Sequence, residues 1–214
     1  MKFITYSLGI AALVFSVCSS PQNQGEQFTI TVPGDAGMQV QISKIEGNTM
    51  SMDSTLSHTD GAYRFASTTE QPAFYNVNIN GKPHMLILSN GESVEIISDP
   101  ASPYYELKGS SEHSEKMAEL SRDMSLFMDK IDSLQSHYSS LVQSVGQEER
   151  EQLIADFDAA AGEMIDANTE RLRSFIENNL SSPAVVPALY QQVSGLKFLD
   201  PDKDLDLFEK VLSS

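Results

Sequence analysis

This chain of 214 residues has one cysteine, no tryptophan and 14 basic residues against 30 acidic ones. A single cysteine excludes an internal disulfide and a Cys-x-x-Cys redox pair, so stability has to come from packing. Without tryptophan, and with aromatics at 8% and nine methionines, the core is expected to be aliphatic and methionine-rich. The formal charge of −16 makes a surface that repels phosphate backbones, which disfavours nucleic acid as a partner. The longest apolar stretch, within residues 4–15, falls short of the ~20 residues that a membrane-spanning helix requires. Signatures of chemistry are missing too. There is no Gly-x-Ser-x-Gly elbow, no phosphate-binding Walker loop and no Gly-x-Gly-x-x-Gly.

What is present begins with an export signal. Residues 1–17 combine a basic start at Lys2, the apolar run at 4–15 and small residues before a cut, the three parts of a bacterial secretory signal. The lone Cys18 follows at once, and a polar linker occupies 18–25. That offset is where a lipoprotein peptidase cuts before a cysteine that receives diacylglycerol, so Cys18 is the expected lipidation site and the membrane the expected partner. Val17 and Phe15 depart from the usual lipoprotein box, which prefers a small residue and Leu there. Ordinary cleavage after Ser19 is the alternative, and it releases a soluble secreted protein. The expected location is the periplasm or outer membrane. Removing 1–17 takes away Lys2, leaving 197 residues and a charge of −17, enough for one domain or two small ones.

Beyond the linker the chain has two halves, an α+β arrangement. From 27 to 108 apolar residues alternate in period two between turn signals. Phe28, Ile30 and Val32 share one strand; Val40, Ile42 and Ile45 the next; Tyr63 and Phe65 follow Asp60-Gly61; Tyr75, Val77 and Ile79 lead into Asn80-Gly81. Asn-Gly and Asp-Gly supply the positive φ angles of tight hairpins. The unbroken run Met85-Leu86-Ile87-Leu88 predicts a strand covered on both faces. Asn90-Gly91 turns into Val94–Ile97, and Tyr105–Leu107 closes the half. Seven or eight strands of this kind predict a small antiparallel β-sandwich or open barrel over 26–110.

Over 111–214 the period becomes helical. Met117, Leu120, Met124, Phe127, Ile131, Leu134, Tyr138, Leu141 and Val145 step by three and four along one seam. Gly146 interrupts it, and a second helix over about 148–179 carries Leu153, Phe157, Ala161, Met164, Leu172, Phe175 and Ile176. The two are expected to form an antiparallel hairpin with arms on the order of 45 Å. Two short helices follow. Ser182-Pro183 or Val186-Pro187 opens the first and Gly195 closes it; Asp200-Pro201 opens the last, with Leu205, Phe208, Val211 and Leu212 facing inward.

Candidate chemistry is sparse. Asp200, Asp202, Asp204 and Asp206 alternate like the start of a calcium loop, but Leu205 stands where glycine must turn and Val211 where a closing Glu belongs, so helix-terminal carboxylates are the better account. His58, His84, His113 and His137 have no ligand spacing, and no metal or cofactor is expected. The serines carry no signature of activation, so surface and capping roles are expected. The seam methionines read as core, while Met128 and Val142 lie just off the seam, where a third helix or another protein could pack.

The order of parts resembles the N-terminal domain of unknown function and helical spacer of Gram-negative exported thiol-disulfide oxidoreductases, ahead of their thioredoxin-like domain. The residues that carry it are Phe28-Thr-Ile30, Asp53-Ser-Thr55, Asp60-Gly61-Ala-Tyr63-Arg-Phe65, Ala73-Phe-Tyr75-Asn-Val77, Leu88-Ser-Asn90-Gly91-Glu92-Ser-Val94-Glu-Ile96 and Leu107-Lys-Gly109-Ser110. In the helical half, Ser174-Phe175-Ile176, Ser182-Pro183-Ala184 and Leu199-Asp200-Pro201 match the spacer. The family's catalytic Cys-x-x-Cys has no counterpart among these residues, so the resemblance implies a non-catalytic module positioned near thiol-disulfide exchange, with a thioredoxin-like protein as partner. The alternatives are the N-terminal part of a truncated or split oxidoreductase, and a ligand-binding sandwich for peptide or glycan.

Overall fold

The computed structural model describes residues 26–47, 49–53 and 56–214. The signal at 1–17, Cys18 and the linker at 18–25 lie outside them.

Two sheets form the β half. One has the order β4 (Ser57–Thr59), β5 (Ala62–Ser67), β1 (Phe28–Pro33), β8 (Ser93–Ile97) and β9 (Glu106–Ser110). The other has the order β3 (Thr49–Asp53), β2 (Val40–Glu46), β6 (Ala73–Ile79) and β7 (Lys82–Leu88). They do not close on one another and pack as a sandwich, with Phe28, Ile30, Val94 and Ile96 of the first sheet against Ile42, Tyr75, Val77, Leu86 and Leu88 of the second. The predicted period-two faces are therefore the buried ones, except that Ile45 lies on the face of β2 opposite Ile42 and outside this core. Asp60 and Gly61 (φ 53° and 73°), like Asn80 and Gly81 (φ 51° and 86°), take the left-handed angles of two-residue hairpins.

Two details differ from the antiparallel expectation of seven or eight strands. The described residues of this half hold nine, because the short β3 and β4 add to those the alternation shows. And β1 pairs parallel with β8, Ile30 opposite Val94. The cause is the turn at Ser89–Glu92, which crosses the chain from one sheet to the other instead of folding β8 back on β7.

The helical half begins with α1 (Glu112–Val142) and α2 (Gln147–Asn178), joined at Gly146. Val145 lies past the end of α1, so the seam is one residue shorter than its spacing implied. The first turns of α1 lie over β7. Ile87 points away from the sandwich into a second core with Met117, Leu120, Phe127, Leu172, Phe175 and Ile176, and Phe74 and Met85 pack on it. The run at Met85–Leu88 is thus covered on both faces, and the two halves share a core through β7.

After α2 come α3 (Val185–Leu189), β10 (Gln192–Val193), β11 (Leu196–Lys197) and α4 (Leu205–Ser213). Two expectations are corrected here. Gly195 does not close a helix; with Ser194 it forms the turn of the β10–β11 hairpin, both at positive φ. Asp200-Pro201 does not open α4. Asp200 C=O accepts from the Lys203 and Asp204 amides in a separate turn, and Asp204 is the N-cap. Leu207 and Phe208 are buried and Val211 packs on the core, while Leu205 and Leu212, expected inward, face outward.

Candidate functional site

The junction between the halves is built on a sheet edge. β7 is the last strand of its sheet, so alternate backbone groups point away from β6 and would be open to pairing with another chain. Side chains occupy them. Tyr105 Oη donates to Met85 O at 2.6 Å. Ser114 Oγ donates to Ile87 O at 2.7 Å and accepts from Ile87 N–H at 3.1 Å. Glu92 Oε2 accepts from Ser89 N–H at 2.7 Å and from Ser111 Oγ at 3.0 Å, while Ser111 caps α1 by accepting from Ser114 N–H at 3.3 Å. The capping role expected of the serines is met at Ser111; Ser114, completely buried, is a backbone partner that sequence reasoning missed.

The four histidines lie apart, each with its own local partner. His58 Nε2 donates to Gly34 O at 2.9 Å, His113 Nδ1 bonds Ser182 Oγ at 3.1 Å, and His137 stacks edge-on with Tyr138. His84 is buried. Its Nδ1 faces Val77 O at 3.1 Å and so must carry the proton, which leaves Nε2 to accept from Ser98 Oγ at 2.9 Å. Burial holds its pKa below the ordinary 6.5, with the nearby Lys82 charge acting the same way. Burial likewise pushes the Tyr105 phenol well above its usual value of 10.

In the acidic run at 200–206, Asp204 and Asp200 are used inside the fold, while Asp202 and Asp206 are exposed. Asp204, 4% exposed, pairs with Arg173 through Oδ1 and accepts from Asp200 N–H through Oδ2 at 2.7 Å; Asp200 Oδ1 accepts from Asp202 N–H at 3.0 Å. Among the described residues no cluster of His, Cys, Asp or Glu could hold a metal ion.

What remains open is the helical hairpin. Near its root a groove of about 280 Å³ lies between α1 and α2, lined by Phe127, Lys130, Met164 and Asn168 among others. Arg171 crosses it to Asp123 and donates to Asn168 Oδ1 at 3.1 Å from Nη2, which leaves the buried Asn168 Nδ2 without a partner. The core extends along the hairpin only as far as Ile131 and Met164. Met117, Met124 and Met164 belong to it or pack on it, and so does Met128, which the spacing put off the seam. Farther out, Leu134, Tyr138, Leu141 and Val142 on α1 and Leu153 and Phe157 on α2 are half-buried, with the Tyr138 and Phe157 rings edge-on at 5.7 Å. Ile154 beside them is 53% exposed. Val142, Leu153 and Ile154 line an open groove of about 250 Å³ at the tip. No helix among the described residues is long and apolar enough to cross a membrane.

Set against protein-family models, curated proteins and solved structures, the chain matches none.

Proposed function

We propose that this chain is a non-catalytic cell-envelope module that positions or engages another protein, held at the membrane by a lipid on Cys18 and working beside thiol-disulfide exchange performed by a thioredoxin-like partner. The observation that supports the reading is the helical hairpin. Its root is fixed in the core through Ile87, Leu120 and Leu172, while its outer half leaves an apolar seam half-covered. An arm anchored at its root and carrying a half-covered seam suits contact with a partner better than it suits stability alone. The redox context comes from the family resemblance, and because these 214 residues hold one cysteine, the reading places the exchanging thiols on the partner.

Metabolic palmitate labelling of the wild type beside Cys18→Ser tests the anchor. Label and membrane association lost in the variant support it; an unlabelled wild type overturns it. Reduction of insulin disulfides by the purified protein would overturn the non-catalytic role.

A further inference from the structure

We propose that the tip of the helical hairpin is a docking groove for a cationic amphipathic helix of another protein; this rests on the interaction role above and specifies the partner's chemistry.

Three observations converge. The first is apolar surface in a defined shape. Val142, Leu153 and Ile154 line a groove that runs along two antiparallel helices, beside the Tyr138–Phe157 ring pair. A seam flanked by two helices is completed most naturally by a third, whose side chains interdigitate with the ridges on either side. Sequence spacing already sets Val142 off the main seam, where it widens the apolar stripe.

The second is charge. Residues 131–163 carry seven acidic side chains and one basic one, Arg150, a formal charge of −6 in the outer half of the hairpin. Asp156 and Asp158 bracket Phe157, and both are exposed, as are Glu148, Glu149 and Glu151 at the turn. An apolar stripe with acidic borders is complementary to a helix with a leucine-like face and lysine or arginine along its edges. The same charge acts against the other occupants. Two copies of the tip would bring −6 against −6, and an anionic membrane surface would be repelled.

The third is the location. The half-covered seam begins where the core ends, at Ile131 and Met164, so a third helix can add there without displacing any residue of that core.

The test uses the full-length protein and a fluorescein-labelled 18-residue helix of Leu and Lys with its leucines on one face, beside a Leu/Glu counterpart and a scrambled Leu/Lys peptide. Anisotropy titrations are run on the wild type and on Val142→Ser/Ile154→Ser, which leaves every charge in place. The Leu/Lys helix is expected to bind, with at least a tenfold weaker Kd for the double variant and a further weakening between 50 and 300 mM salt. The scrambled and Leu/Glu peptides are expected to bind at least tenfold more weakly. Equal binding by the double variant would mean charge alone, and equal binding by the Leu/Glu helix would mean apolarity alone; either overturns the proposal. So does a wild-type dimer in light scattering that the double variant abolishes, since a second copy would then fill the groove. Palmitate labelling of Cys18 is unaffected by any of these outcomes, so failure of the groove and failure of the anchor are read separately.

Discussion

Ser114 holds both backbone groups of Ile87, donating to its carbonyl at 2.7 Å and accepting from its amide at 3.1 Å, so one helical hydroxyl stands in for a missing neighbouring strand. Both residues are completely buried. Replacing Ser114 by alanine leaves the Ile87 amide without an acceptor in an apolar setting, while Ser111 Oγ at 3.1 Å still reaches the carbonyl, and the lost amide bond costs about 1–3 kcal/mol. Ser114→Ala is therefore expected to lower the urea midpoint with an unchanged m-value. A neutral result would mean that water reaches the edge of β7.

Asp204 ties α4 to α2 through Arg173 and orders the preceding turn through Asp200 N–H. Asp204→Ala strands the guanidinium, though at about a third exposed Arg173 recovers part of its hydration. The expected loss is about 2–3 kcal/mol, below the range for a fully buried broken pair. Hydrogen exchange should accelerate first at Leu207 and Phe208 in α4, while the sandwich keeps its protection.

Gly109 sits at φ 121°, and a Cβ there would lie 2.0 Å from Ser93 O. Backbone cannot yield as a flexible side chain can. Gly109→Ala combines an unfavourable dihedral with a clash against β8, at a cost of about 3 kcal/mol. Thermal unfolding should show it, and the loss should exceed that of Gly47→Ala, where φ is positive but a Cβ meets nothing within 4 Å.

His84 makes stability depend on pH. Its folded pKa lies below 6.5, so across the interval between the two values the unfolded chain binds a proton that the folded chain excludes. The contribution is complete above pH 6.5 and fades as pH falls below it. Between about pH 7.5 and 5.5, the wild type is expected to lose more stability than His84→Gln, in which there is no imidazole to charge. Equal losses would show that the ring stays neutral in neither or both states.

The outer hairpin can be shortened without unfolding the body. The core ends at Ile131 and Met164, and the Tyr138–Phe157 pair lies beyond it. Replacing residues 139–156 with a Gly-Asn-Gly turn is expected to change the unfolding free energy by less than about 1 kcal/mol, because helix stability comes mainly from packing. A larger drop measured by urea titration would mean that the tip supports the fold.

Much of this architecture is written locally. Period-two alternation placed Phe28, Ile30 and Val32 on the buried face of β1, and steps of three and four placed Met117, Leu120 and Phe127 in the helical core. Met85–Leu88 shows both coverings because its residues contribute to two cores. What the sequence hides is pairing at a distance. Nothing in Phe28–Pro33 indicates a parallel partner 64 residues on, and β3, Thr49-Met-Ser-Met-Asp, lacks the β-branched pattern that marks a strand. Asp200-Pro201 has the chemistry of a cap, yet it closes a separate turn and Asp204 takes the position, paired with Arg173 from 31 residues earlier, a contact that local spacing does not reveal. The tip groove was partly legible in Val142, set off the seam. Ile154 was not, since its exposure depends on where the core stops.

Clamping α1 at Ser111 and Ser114 also gives the hairpin a mechanical character. From Ser114 the helix stays seated through Met117, Leu120 and Phe127 to Ile131, on the order of 26 Å at 1.5 Å per residue. A beam built in over that length has no hinge at its root. A load applied at Ile154 is therefore carried back along α1 to β7 and the sandwich, so whatever presses on the tip pulls on the sheet edge that Ser111 and Ser114 close.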